Sequence, residues 1–250
     1  MTVMEQAHAP TADDAALLRR YAGSGDPAAF AELVQRYAGM VYATARRVTG
    51  DPSSAEDVSQ DCFLRLARAS SVIEGSLPGW LHRTSVNRSL ELVRSDRARR
   101  RRETDRAALM RAEAGAQNPE AIEDSSQLIA QVDQAMGQLP DELRAILTEH
   151  FLCGQTQQAI ALRLSVDQST VSRRIDSALH ALRRQLRGAG FATATLPMVL
   201  AGLASAGESS LTPASLSLSL TKIGLSGVRG SASSSSATAS MSATTVVTSA

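Results

Sequence analysis

"TQQAIALRLSVDQSTVSRRI", residues 156–175, decides how the second half of this 250-residue chain folds. Thr156 places a side-chain oxygen just ahead of an apolar-periodic run, as a helix start requires. Asp167 does the same for the run that follows, and "LSV" at 164–166 breaks the periodicity between them. The pattern predicts two short helices joined by a tight turn. Ala161 is small enough for the helices to cross closely, Leu164 and Val166 flank the turn, and Val171 anchors the second helix. Ile175, Leu179 and Leu182 continue that buried face at helical spacing. In a DNA-reading motif of this kind the first helix braces the second, whose N-terminal residues enter the major groove. Gln168, Ser169, Thr170, Ser172, Arg173 and Arg174 occupy that end. Gln and Arg match adenine and guanine edges, and hydroxyls reach phosphates. A helical hairpin with no DNA role has the same pattern, so both readings stand on this stretch alone.

Upstream, Leu128, Ile129, Val132, Met136 and Leu139 predict one more helix, and Pro140 opens another with Leu143, Ile146, Leu147 and Phe151, ended at Gly154. Residues 103–126 are polar and charged with no apolar stripe, which predicts a linker, helical at its start. The first 102 residues are helical again from about residue 12. Asp26-Pro27 and Asp51-Pro52 each pair an N-cap acceptor with Pro at the first turn. Phe30, Leu33, Val34, Tyr37, Val41 and Ala45 follow the first of them, and Gly50 ends that helix. Val58, Cys62 and Leu66 follow the second. The stretch "SSVIEGSLPG" (70–79) has turn composition. A further helix runs from about Trp80 into the arginines of "RSDRARRRR" (94–102).

Composition agrees with helices. Apolar residues make up 43% of the chain but aromatics only 3%, so the cores are aliphatic. Net charge is +1, yet the basic residues cluster at 94–102 and 163–187. Lys222 is the single Lys; the Arg bias suits phosphate but also follows from a GC-rich coding sequence. Cys62 and Cys153 lie far apart in helical sequence and fit reduced, buried thiols. The N-terminus lacks the basic-then-apolar pattern of a signal peptide. "FATATLPMVLAGLASAG" (191–207) is Ala/Thr-rich, contains Pro197, and falls short of the roughly 20 strongly apolar residues of a membrane span. Residues 188–250 turn Ser-rich, with only Glu208, Lys222 and Arg229 charged. The end from Ser231 is expected to be disordered. "LTPASLSLSLTKIGL" (211–225) alternates Leu and Ser, which suits a strand or a short helix equally.

The stretch "SSAEDVSQDCFLRLARAS" (53–70), followed by "LPGWLHRTSVNRSLELVRSDRARRRR" (77–102), closely resembles region 2 of bacterial RNA polymerase sigma factors. The likeness is to the extracytoplasmic-function group of the sigma-70 family, minimal sigmas with regions 2 and 4 only. "LPDELRAILTEHFLCGQTQQAIALRLSVDQSTVSRRIDSALHALRRQLR" (139–187) resembles region 4 of the same group. The resemblance implies an all-α fold of two small helical domains. Region 2 occupies 12–102, the linker 103–126, the region 4 helix-turn-helix 127–187, and a low-complexity, partly disordered extension 188–250.

It also implies roles. The pattern Asp-x-x-Gln-acid falls on Asp57, Gln60 and Asp61, with Phe63 and Arg65 nearby, and docks on the clamp coiled coil of core polymerase. Positions three and four apart share a helix face. Without the resemblance the same face reads as an ordinary solvated acidic surface. Trp80 matches a packing position and is expected in the core. Arg83, Asn87, Arg88, Arg94, Arg97, Arg99 and Arg100, with the adjoining Arg101 and Arg102, match the −10 reading helix and its phosphate grip. Loop 70–77 stands where family members hold a flipped −10 base, although it has no aromatic to stack on it. His82, at a position often aromatic in the family, is expected at the surface or in packing, not as a ligand. Region 4 docks on the polymerase flap and reads the −35 element through Gln168, Ser169, Thr170, Ser172, Arg173 and Arg174. The chain departs from the family pattern at Gln157, Gln158 and Ala159, at Ser165 where the turn usually takes Gly, and at Ser172 where a basic residue is common.

The expectation is therefore a non-enzymatic initiation factor acting in the cytoplasm. It takes no metal, no cofactor and no membrane span. Its partners are core RNA polymerase and promoter DNA, with an anti-sigma factor allowed. Two rivals remain at this stage: a standalone helix-turn-helix regulator using 139–187, and an interaction protein whose extension carries the function.

Overall fold

The computed structural model describes residues 13–71, 73, 75–110, 124–188, 196, 199–200, 202–203 and 213–226. Among these residues the regular structure is entirely helical. The expectations for residue 12, for the centre of the linker and for the end of the extension lie outside them.

Local signals place most helix ends. Helix α1 spans Asp14–Ser24, α2 Pro27–Thr49 and α3 Pro52–Ala69. Asp26 accepts from the amides of Ala28 and Ala29, and Asp51 accepts from that of Ser54 at 2.7 Å, so both Asp-Pro pairs cap as their sequence predicts. α2 stops at Gly50, whose φ of 74° is left-handed. α4 spans Leu77–Met110, 34 residues and about 50 Å of helix, and so continues past Arg102 into the linker. The second group is α5 (Asp124–Gly137), α6 (Asp141–Leu147), a π turn at Thr148–Leu152, α7 (Gln157–Leu164) and α8 (Gln168–Gly188).

In the first group α2 is the centre. Phe30, Leu33 and Val41 are sealed from solvent against α1, α3 and α4. In the second, α8 packs on α5, α6 and α7 through Val171, Ile175, Ala178, Leu182 and Leu186. The two groups touch: α5 lies on α2 and α4, and α6 and the π turn lie on the start of α4. A Cβ on Gly79 in α4 would stand 3.2 Å from the Ala145 backbone of α6. Buried Arg144 donates to the Gly79 carbonyl (3.2 Å) and the Leu139 carbonyl (2.9 Å).

The stretch 211–225, open between strand and helix, forms helix α9 (Ala214–Ser226). It returns to the first group and packs on α2 and α3. Leu216 and Leu220, four apart, are fully buried, while Leu218 between them is 67% exposed. Period four wins over period two because the groove receives one face of a helix. Gly224 completes that face: a Cβ there would stand 2.6 Å from the Phe30 ring. Tyr21 donates its hydroxyl to the Gly224 carbonyl at 3.4 Å.

Candidate nucleic-acid interface

α3 turns Ala55, Val58, Cys62, Phe63 and Leu66 inward, leaving Asp57, Arg65 and Arg68 exposed and Gln60 and Asp61 half-buried. Asp57, Gln60, Asp61 and Arg65 thus line one accessible face. Phe63 does not join it. It is fully buried and meets Phe30 edge-on, ring centroids 6.4 Å apart, so it is a core residue rather than a docking contact. Arg65 holds Asp61 at 3.0 Å, and Arg88 of α4 pairs with the same carboxylate.

On α4, Arg83, Asn87, Arg94 and Arg97 are exposed and follow at intervals of four, seven and three, one stripe of the helix. Arg88 lies off that stripe. It turns toward α3, where it meets Asp61 and, at 2.6 Å, Glu91. Its place is therefore the seam between the two helices, not the open reading face. Arg99 and Arg100 are exposed beyond the core, with Asp96 3.3 Å from Arg99. Trp80, expected in the core, is half-buried and packs against it. In loop 70–77, Val72 and Glu74 lie outside the described residues.

On α8, Gln168, Ser169, Arg173 and Arg174 are exposed, and Thr170 and Ser172 are half-buried. Val171 and Ile175 behind them are core. Thr156 caps α7 by accepting from the Ala159 amide at 3.1 Å. Ile160 and Ala161 bury where α7 crosses α8, as the small residue predicts. Val166 packs against the core, whereas Leu164 stays exposed. Ser165 takes φ 53°, the one non-glycine with positive φ among the described residues. The turn thus keeps its left-handed geometry without the glycine that usually supplies it.

Some contacts between the two groups involve residues that sequence reasoning passed over, namely Arg47, Asp133 and Glu149. Asp133 of α5 is 0% exposed. Arg47 of α2 grips it with two bonds, at 2.7 and 3.0 Å, and His82 Nε2 of α4 lies 3.1 Å from it. Burial alone would raise the Asp133 carboxyl. Arg47 and His82 outweigh that and hold it below the usual carboxylate range. His82 is thus a fully buried packing residue with an acid partner. Glu149, in the π turn, is 6% exposed and accepts from Ser76 Oγ at 2.8 Å; Arg163 pairs with its other oxygen. Burial pushes Glu149 up, against those two partners. Arg83 lies 3.4 Å from Asp141 of α6. One signal for Asp133 was present: a lone acid beside Val132 on an apolar helical stripe.

Both cysteines are free, and burial pushes each thiol up to about 12. No helix among the described residues is long and apolar enough to cross a membrane.

Comparison with known proteins matches residues 33–100 to the Sigma-70 region 2 model and residues 135–184 to the Sigma-70, region 4 model. The ECF RNA polymerase sigma factor SigK of Mycobacterium tuberculosis is 30% identical over 181 residues, 68% of this chain and 92% of the relative. This chain belongs to the sigma-70 family. Within it, the named relatives are of the extracytoplasmic-function group. SigE of Mycolicibacterium smegmatis is 37% identical over 168 residues, and the match spans 66% of this sigma factor but only 63% of that relative's length. Among solved structures, CnrH in complex with the cytosolic domain of CnrY is 22% identical, with a TM-score of 0.33 over 70% of this chain and 99% of that one. Region 2 and region 4 in one chain make this a sigma factor rather than a standalone helix-turn-helix regulator.

Proposed function

We propose that this sigma factor docks on the clamp coiled coil of core RNA polymerase through Asp57, Gln60, Asp61 and Arg65 of α3. It then sets α4 against the −10 element and α8 against the −35 element. The observation that carries this reading is the pairing of faces within region 2. An accessible face on α3, with the Asp57 and Asp61 carboxylates and the Gln60 amide, adjoins a cationic stripe on α4, so one body offers polar acceptors to a protein and positive charge to DNA. On α4, Arg83, Asn87, Arg94 and Arg97 contact the −10 DNA while Arg99 and Arg100 hold phosphate. Loop 70–77 accepts a base that has left the stack, at a cost of a few kcal/mol of unstacking offset by its capture. In region 4, Gln168, Ser169, Thr170, Ser172, Arg173 and Arg174 read the −35 element, while a separate face meets the polymerase flap. Region 2 spans 12–102 and region 4 spans 127–187 in this proposal. The RNA-forming chemistry belongs to the polymerase, so the sigma factor supplies no catalytic group or cofactor. It acts where the polymerase is, in the cytoplasm, and the family likeness admits an anti-sigma partner.

The test is transcription with purified core polymerase on promoters found by mapping transcript starts after overexpression. Directed initiation that falls at least tenfold with Asp57→Ala plus Gln60→Ala is expected. A chain that neither binds core nor directs initiation contradicts the reading.

A further inference from the structure

We infer that the C-terminal extension is a second tether. α9 stays seated on region 2 while α8 reads the −35 element, so region 4 is held at both ends. The length of segment 189–213, the strap between α8 and α9, then limits how far apart the two promoter elements can stand. This rests on the roles proposed above for α4 and α8.

The seat of α9 carries the first half of the argument. Leu216 and Leu220 are fully buried, and so is Phe30, whose ring lies against Gly224. A side chain at 224 would overlap that ring, so helix and core meet as closely as a bare backbone allows. Tyr21, 4% exposed, gives its hydroxyl to the Gly224 carbonyl. Lifting α9 would put these apolar side chains into water with nothing to replace their contacts. Docking on polymerase does not ask for that. α9 packs on α3, yet Asp57 and Arg65 stay exposed and Gln60 and Asp61 half-buried beside it.

Chain connectivity carries the second half. α8 ends at Gly188 and α9 begins at Ala214. About 26 residue steps join them, and at about 3.3–3.6 Å each they span about 90 Å at most. A flexible chain of that length averages only about 30 Å end to end. Leu196, Leu200 and Leu203 lie within the strap and are buried, which leaves less of it free to extend. The −35 and −10 elements lie about 25 base pairs apart, about 85 Å of B-form helix at 34–36 Å per turn. The two domains cover part of that distance, but the strap is still drawn well beyond its average length. The effective concentration of a tethered reader collapses once its linker cannot span the two sites. The other connection, from Met110 to Asp124, leaves from the tip of α4, which runs out past the core. The strap starts from the body of region 2, so a longer spacer draws on it directly.

The experiment uses the full-length chain with core polymerase. Wild type is compared with a chain carrying about 20 added Gly/Ser residues between Ser209 and Ser210, a flexible lengthening of the strap. The promoters share both elements and differ only in spacer, from the optimum to about four base pairs longer, about 3.4 Å each. Equal initiation is expected at the optimum. At the longest spacers the lengthened chain should direct at least threefold more initiation than wild type. Helical phase is the same for both chains, so their ratio isolates reach. Superimposable spacer profiles overturn the tether. Amide exchange of 214–226 in wild type follows the seat of α9 directly, and decides should the insertion disturb folding. Protection in the free chain that persists on core polymerase is expected. No protection in the free chain, or protection lost when core is added, overturns the inference. Initiation with strap-independent spacing refutes only the tether, whereas no initiation from either chain at any spacer refutes the sigma role and the tether with it.

Discussion

The two helices proposed to face DNA are built differently. α4 exposes Arg94, Arg97, Arg99 and Arg100 along a far half that leaves the core. α8 opens with Gln168, Ser169, Thr170 and Ser172 on a helix anchored along its length by Val171, Ile175, Leu182 and Leu186, with only Arg173 and Arg174 at the reading end. Phosphate attraction supplies affinity without sequence information, whereas base-edge contacts specify. The difference matches a division of labour within the proposed function, in which α4 grips and α8 discriminates.

The largest blow to the comparison comes from removing a core under one helix only. Phe63→Ala empties the centre of region 2 and should cost about 3–5 kcal/mol, read as a fall in the urea midpoint. If Phe63 were a docking contact, stability would hold and only polymerase binding would fall. Gly224→Val tests whether α9 belongs to that same core. Its added carbons meet the Phe30 ring, so a loss of about 1–3 kcal/mol is expected in the same titration. No loss would mean that α9 does not sit in this groove.

The charge contrast is sharpened by salt. Arg94→Ala with Arg97→Ala should lower the slope of log affinity against log salt by roughly two, about one per phosphate contact. Arg173→Ala should lower it by about one at most and should also relax −35 sequence preference. Equal slopes for the two helices would erase the proposed division. The smallest effect is at the turn of the reading motif. Ser165→Gly relieves left-handed strain of about 1–2 kcal/mol but frees the unfolded chain, so a net gain of up to about 1 kcal/mol is expected in thermal unfolding.

Much of this fold is legible because its signals are local. Asp26 and Asp51 cap the very helices their Asp-Pro pairs announce, and Thr156 caps α7. The reading face of α8 follows from one helix's own periodicity. The misplacements have a common origin in contacts between distant residues. Phe63 lies at the rim of α3's apolar face, and whether that rim is wet depends on Phe30 across the core. Arg88 shares a helix with the stripe, yet an acid on α3 claims it. Asp133, Arg47 and His82 come from three helices, separated by 51 and 86 residues along the chain, so no sequence window contains them together.

The amino-acid sequence by itself determined the helices, their caps, the two-part signature and the faces open to partners, because these depend on neighbours within a turn or two. Only the tertiary structure decided that 214–226 is a helix, that Phe63 is core, and that the second group of helices packs on α2 and the start of α4. Those outcomes depend on which groove is vacant and which charge is buried, and both exist only once the helices have packed.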